Sequence, residues 1–256
     1  MLSVIQPFNV NFMNKEQDMK KFICGMILFF GIVQSFAASA ADWQGIWCDE
    51  AYLRTLRNSY SPKAAFAASH IPMLLVDMAQ KTVGVSYHMH EMPVFTISSV
   101  DASGAVALAD QPQDILSLTF LEKDNKIRLE YTDGQLGKIT ATFINISPEI
   151  DRFEQTFGAY MNAIVLAGDY QDEAGNPYHF DTQNADWNGN QFRYAMMLDF
   201  IEFEPLDVVC EANEQGICQT MYGFAANGSV LQLYEYNDET KQIGKRLFEL
   251  TKPSSY

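Results

Sequence analysis

Trp43-Gln44-Gly45-Ile46-Trp47-Cys48-Asp49-Glu50-Ala51 has an echo more than a hundred residues later, in Gly168-Asp169-Tyr170-Gln171-Asp172-Glu173-Ala174. Both stretches read Gly-x-aromatic-x-Asp-Glu-Ala. The likeness extends to the far end of each segment. Glu130-Tyr131-Thr132-Asp133, Gly137-Lys138 and Phe143 to Pro148 have counterparts in Glu235-Tyr236-Asn237-Asp238, Gly244-Lys245 and Phe248 to Pro253. The same landmarks recur in the same order at both ends, which is the signature of an internal repeat. The chain therefore reads as two related units.

The first forty residues stand apart. Lys20 and Lys21 precede an apolar run from Phe22 to Val33, followed by Ala37-Ala38-Ser39-Ala40. A basic start, an apolar run shorter than the ~20 residues a spanning helix needs, and a small-residue site are the marks of a signal peptide. The expected location is periplasmic or secreted, with no membrane span after cleavage at Ala40. From residue 41 the chain carries 14 basic and 30 acidic residues, a net charge of −16. Nucleic acid is excluded as a partner on that balance, because phosphate binding needs a basic footprint. The charge is uneven. Between Phe153 and Thr240, Arg193 is the sole basic residue beside fifteen carboxylates. Such a face is either a solvated surface or an attractor of cationic partners.

Three cysteines lie beyond the leader. Cys210 and Cys218 flank Glu211 to Ile217, a polar stretch with turn residues at its centre. A hairpin there sets the two thiols within disulfide reach, and an exported chain permits the bond. Cys48 is left over and reads as a small buried apolar residue.

Between these landmarks the hydropathy period decides the elements. Tyr52 to Arg57 reads as helical, and Ser61-Pro62 is a cap and first-turn proline for a second short helix through Ser69. Val83, Val85, Tyr87 and Met89 then alternate with polar or small residues, as in a half-buried strand. Further strands are expected at 94–100, 105–109, 115–121, 127–132 and 139–146, separated by turn clusters. Ser147-Pro148-Glu149 reads as a helix start, and Ile150, Phe153, Phe157, Met161 and Ile164 give residues 148–165 one apolar face. The second unit repeats the strand pattern at 178–182, 192–200, 206–210, 217–224, 230–236 and 247–251. Asn188-Gly189 and Asn227-Gly228 are hairpin turns. The expected organisation is a leader at 1–40, a first β-barrel-like unit with two short helices at 41–147, a linking helix at 148–166, and an acidic second unit at 167–256. The fold class is mostly β: two tandem antiparallel up-and-down barrels joined by an amphipathic helix. One barrel or sandwich made from two half-units is the alternative.

Gly45-x-Trp47, with a basic residue in the last strand of the unit, resembles the ends of the lipocalin and wider calycin barrels. In that family a basic side chain from the last strand packs across the tryptophan of the first. The resemblance implies Lys138 as the partner of Trp47, and Lys245 or Arg246 as the partner of Tyr170, a cation–aromatic contact worth roughly 0.5–2 kcal/mol.

Few residues carry recognisable chemistry. His88-Met89-His90 places two imidazoles on one strand face, a possible half of a metal site that lacks a third ligand. Asn184-Ala185-Asp186-Trp187-Asn188-Gly189 resembles the start of a calcium loop, but Ala195 stands where the closing glutamate belongs, and a hairpin turn explains the residues better. The repeated Asp-Glu pairs, 49–50 and 172–173, could serve acid–base chemistry, yet repetition in both units argues for a structural cap. No Gly-x-Ser-x-Gly and no phosphate-binding glycine loop is present. No catalytic residue and no cofactor is assigned. The expected function is an exported binding protein holding an apolar or amphipathic small molecule in a lipocalin-like barrel. The alternative is an interaction or inhibitor protein that turns its acidic second unit toward a cationic protein. An enzyme with an unrecognised carboxylate or metal site is the third reading.

Overall fold

A computed structural model describes residues 43–87, 91–134, 136–198, 206–213 and 215–253. The leader at 1–40 and the His88/His90 pair lie outside the described residues. From Gln44 onward the chain packs as one unit.

Strand β1 (Gly45–Asp49) is followed by helices α1 (Glu50–Ser59) and α2 (Pro62–Ala67). Then come β2 (Met73–Asp77), β3 (Thr82–Ser86), β4 (Val94–Val100), β5 (Ala105–Leu108), β6 (Ile115–Leu121), β7 (Lys126–Asp133) and β8 (Gly137–Ser147). These strands pair in sequence order, and β8 returns to β1, which closes an eight-stranded antiparallel barrel. Helix α3 (Phe153–Val165) follows. A second eight-stranded antiparallel sheet then runs through β9 (Gly168–Gln171), β10 (Pro177–Phe180), β11 (Asn184–Trp187), β12 (Asn190–Met196), β13 (Asp207–Ala212), β14 (Cys218–Ala226), β15 (Val230–Asn237) and β16 (Gln242–Thr251). Its last strand meets its first at Thr251 and Gln171. The protein is mostly β.

Register fixes which side chains face inward, because cross-strand partners share a face. Trp47 lies opposite Leu74, which lies opposite Val85. On the far side Phe120 lies opposite Ile127, and Ile127 opposite Phe143. All six are buried. The alternate residues of β1, Ile46 and Cys48, face the other way, into a cluster with Tyr52, Leu53 and Leu56 of α1 and Phe157, Met161 and Val165 of α3. Both faces of β1 are covered, so this strand has no solvent side. The same cluster continues through Tyr170, Phe180, Tyr194, Phe224 and Leu250 of the second sheet. On its apolar face Trp187 contacts Phe192, Tyr222 and Phe248 at centroid distances of 4.9, 5.1 and 5.6 Å.

The helices start where the sequence places their caps, with one exception. Asp49 accepts from the Ala51 N–H to open α1, and Tyr60 ends it in the left-handed region. Ser61 accepts from the Ala64 N–H, and Pro62 occupies the first turn of α2. The exception is α3, which begins at Phe153 rather than at Pro148. Ser147 belongs to β8, where it pairs with Ile46, and its hydroxyl accepts from the Glu149 N–H within a turn. Extended pairing holds the backbone through Ser147, so the helix starts a turn and a half later. The residues read as calcium-like form β11 and its hairpin: Trp187 pairs with Asn190 across Asn188-Gly189, and the Asp186 carboxylate accepts from the Gly189 N–H.

Candidate functional site

The two echoed stretches have matching local geometry. Gly45 and Gly168 both adopt positive φ, +141° and +146°, a region essentially closed to other residues. Asp49 accepts from the Ala51 N–H at 3.1 Å, and Asp172 accepts from the Ala174 N–H at 2.9 Å. The repeated Asp-x-Ala is therefore a capping device, in place to open α1 in one case and a tight turn in the other.

The basic residues implied by the calycin resemblance serve elsewhere. Lys138 is the second residue of β8, whereas Trp47 lies opposite Asn145 of the same strand. Seven residues at ~3.3 Å each put these positions about 23 Å apart, far beyond cation–aromatic reach. Lys138 instead pairs with Glu130 across the β7–β8 hairpin at 3.0 Å. Lys245 makes the equivalent pair with Glu235 across β15–β16 at 3.2 Å. Arg246 pairs with Glu249. The cation over the Tyr170 ring is Lys252, 5.2 Å from the centroid, and the Tyr170 hydroxyl donates to the Leu166 carbonyl. Lys252 is found by register rather than by motif: it follows Thr251, the residue that meets Gln171 of β9.

Cys210 and Cys218 form a disulfide with Cα atoms 5.5 Å apart. The bond runs diagonally, since Cys210 lies opposite Met221 and Cys218 opposite Ala212. Cys48 is a free, buried thiol, and desolvation holds it well above the ordinary thiol range. Among the described residues no group of three His, Cys, Asp or Glu side chains could hold a metal ion.

Polar chemistry gathers in clefts at two places, one on each sheet. The larger, about 780 Å³, lies on the second sheet and is lined by His179, Asp181, Asn184, Asp186, Gln191 and Arg193 among others. Its His179, Asp186 and Gln191 belong to a straight row across four strands that runs on past the cleft to Asp169. Asp169 is opposite His179, His179 opposite Asp186, and Asp186 opposite Gln191. The His179 Nδ1 and Asp169 Oδ1 atoms are 2.7 Å apart, and both side chains are exposed. Asp181 accepts from the Gln183 and Asn184 N–H groups, and these bonds hold its carboxyl below the usual range. An adjoining cleft of about 590 Å³ on the same sheet shares His179 and Asp186 and is also lined by Asp169.

The other cleft, about 410 Å³, lies at one end of the first barrel. Inward-facing Asp49 and Tyr131 meet α1 and the α2–β2 connection there, where Ser69 and His70 stand. His70 Nδ1 lies 3.2 Å from Asp133 Oδ2. Burial pushes the Asp49 carboxyl up, and Tyr131 is pushed up to about 12 by burial and by the Asp49 and Asp133 charges. Sequence reading assigned Asp49 to its cap but missed Ser69, His70 and Tyr131, which gather only once the barrel closes.

No family model, curated protein or solved structure matches this chain. Among the described residues no helix is long and apolar enough to cross a membrane.

Proposed function

We propose that this chain is an exported protein of two duplicated, calycin-like barrels whose second barrel binds a cationic partner through its outer face. The observation that carries the reading is the Asp169–His179–Asp186 row beside the 780 Å³ cleft, in a stretch where Arg193 is the sole lysine or arginine. Carboxylates fixed on a rigid sheet face keep their geometry on docking and steer an opposite charge toward it. Duplication is supported by the paired glycine conformations, the paired Asp-to-Ala hydrogen bonds and the paired Glu–Lys hairpin bridges. Export is supported by the leader pattern and by the disulfide. Capture of an apolar ligand inside the barrel is the weaker reading, since the inward positions of the first barrel carry bulky buried residues such as Trp47, Phe120 and Phe143.

The test is calorimetric titration with a lysine-rich peptide at low and at raised ionic strength. Affinity should fall steeply with salt. Replacing Asp169, Asp181 and Asp186 together with Asn should weaken binding by about tenfold or more, ~1.4 kcal/mol. A control that neutralises Asp101, Glu122 and Asp124 on the first barrel should leave binding within about twofold, below ~0.5 kcal/mol. Salt-insensitive binding, or equal loss in both variants, refutes the proposal.

A further inference from the structure

Of the groups in the acidic row, His179 alone is of a type that changes charge between pH 5 and 8. Asp169 stands opposite it on β9 and Asp186 opposite it on β11, so all three share the outer face. Asp181, just past the end of β10, lines the same cleft, as does Arg193 of β12. The 2.7 Å contact between His179 Nδ1 and Asp169 Oδ1 holds the ring in place. An ionised carboxylate only accepts, so the neutral imidazole keeps its proton on Nδ1 and takes a second on Nε2. The His179 side chain is 56% exposed, and solvent can deliver that proton without any opening of the sheet.

The consequence is electrostatic. Asp169, Asp181, Asp186 and Arg193, three carboxylates and a guanidinium, carry a net charge of −2 when ionised, and a proton on His179 halves it. The added charge is also central. An imidazolium between Asp169 and Asp186 competes with an incoming ammonium for both carboxylates and repels it. Solvent screens charges this exposed, so the change is severalfold rather than orders of magnitude.

We infer that His179 is a proton-operated gate on this face: neutral, it admits a cationic partner, and protonated, it releases one. The gate rests on the cationic-partner reading of the same face. Aspartate ordinarily titrates near 3.9 and lysine near 10.4, so the change between about pH 5.5 and about pH 7.5 falls to histidine.

Calorimetric titration of the full chain with the same lysine-rich peptide, at about pH 5.5 and about pH 7.5 and equal low ionic strength, tests it. Wild-type affinity should be about threefold or more weaker at the lower pH. In His179→Gln, which keeps a donor for Asp169, the two affinities should agree within about 1.5-fold. Linkage supplies a second readout on the unaltered chain: bound peptide should make the imidazole harder to protonate, moving the pH response of its ring NMR signal to lower pH. No peptide binding at the higher pH removes the cationic-partner reading and the gate with it. Binding there that is equally tight at the lower pH, a pH response that survives in His179→Gln, or a ring signal whose response the peptide leaves in place overturns the gate alone.

Discussion

Trp47 and Tyr170 hold the same place in two versions of one device, and their surroundings differ. Trp47 sits among aliphatic and phenylalanine side chains inside a barrel whose first and last strands pair over four positions. Tyr170 sits among aromatics, edge-on to Phe180 at 5.7 Å, with its hydroxyl bonded to Leu166 and Lys252 over its ring. There the first and last strands meet at a single position. The first unit closes by backbone pairing and buries its aromatic outright. The second closes with the help of side chains. The two sheets share the backbone device and differ in what holds it shut.

The two glycines offer the sharpest way to break that comparison. A Cβ on Gly45 would lie 2.3 Å from the Ser147 carbonyl oxygen, which β8 pairing holds in place. A Cβ on Gly168 would meet only the Lys252 side chain, at 3.0 Å, and that flexible end can swing aside. Both substitutions incur the strain of positive φ, about 1–3 kcal/mol. Gly45→Ala adds a backbone clash of about 1–3 kcal/mol more. Chemical denaturation should therefore show Gly45→Ala losing roughly twice as much stability as Gly168→Ala. Equal losses would mean that the second unit is closed as rigidly as the first.

The caps give a smaller contrast. Asp49 is buried and opens a ten-residue helix, while Asp172 is half-buried and organises a turn. Asp49→Ala should cost about 1–2 kcal/mol and Asp172→Ala about 0.5 kcal/mol or less, measured by thermal melts. Comparable losses would place the Asp172 turn on the same footing as α1.

What could be read from the sequence follows the same division. Local signals carried far: the Gly-x-aromatic echo, the Ser61-Pro62 cap, the Asn188-Gly189 hairpin and the cysteine spacing all depend on neighbours in the chain. The signals that misled depend on register. Lys138 and Lys245 looked like partners for the aromatics because they sit in last strands, but a strand has two ends, and sequence does not say which one meets β1. Ser147-Pro148-Glu149 has the composition of a helix start, yet pairing with Ile46 outweighs it. The candidate sites were less legible still. Asp169, His179 and Asp186 come from three strands, and Asp49, Ser69 and Tyr131 from a strand end, a connection and a distant strand. No spacing rule joins them until the sheets close.

Between the two units lies one buried carboxylate, and it gives the smallest predicted effect. Asp207 of β13 accepts from the Lys63 N–H of α2 at 2.7 Å, so the second sheet touches the first unit's helix through it. Burial raises its pKa above the usual aspartate range, partly offset by Ser61, by the Lys63 N–H and by the Lys63 charge. The sign follows from linkage. A carboxyl whose folded pKa exceeds its unfolded value, about 3.9, binds its proton more tightly when folded. Its contribution is fully present below the unfolded pKa and is lost as pH rises through the folded one. Asp207→Asn keeps an acceptor for Lys63 and removes the titration. The difference in melting temperature between variant and wild type should therefore shift in the variant's favour as pH rises from about 4 to 7. A pH-independent difference would show that folding leaves the Asp207 pKa at its unfolded value, so that burial and the Lys63 contacts offset one another.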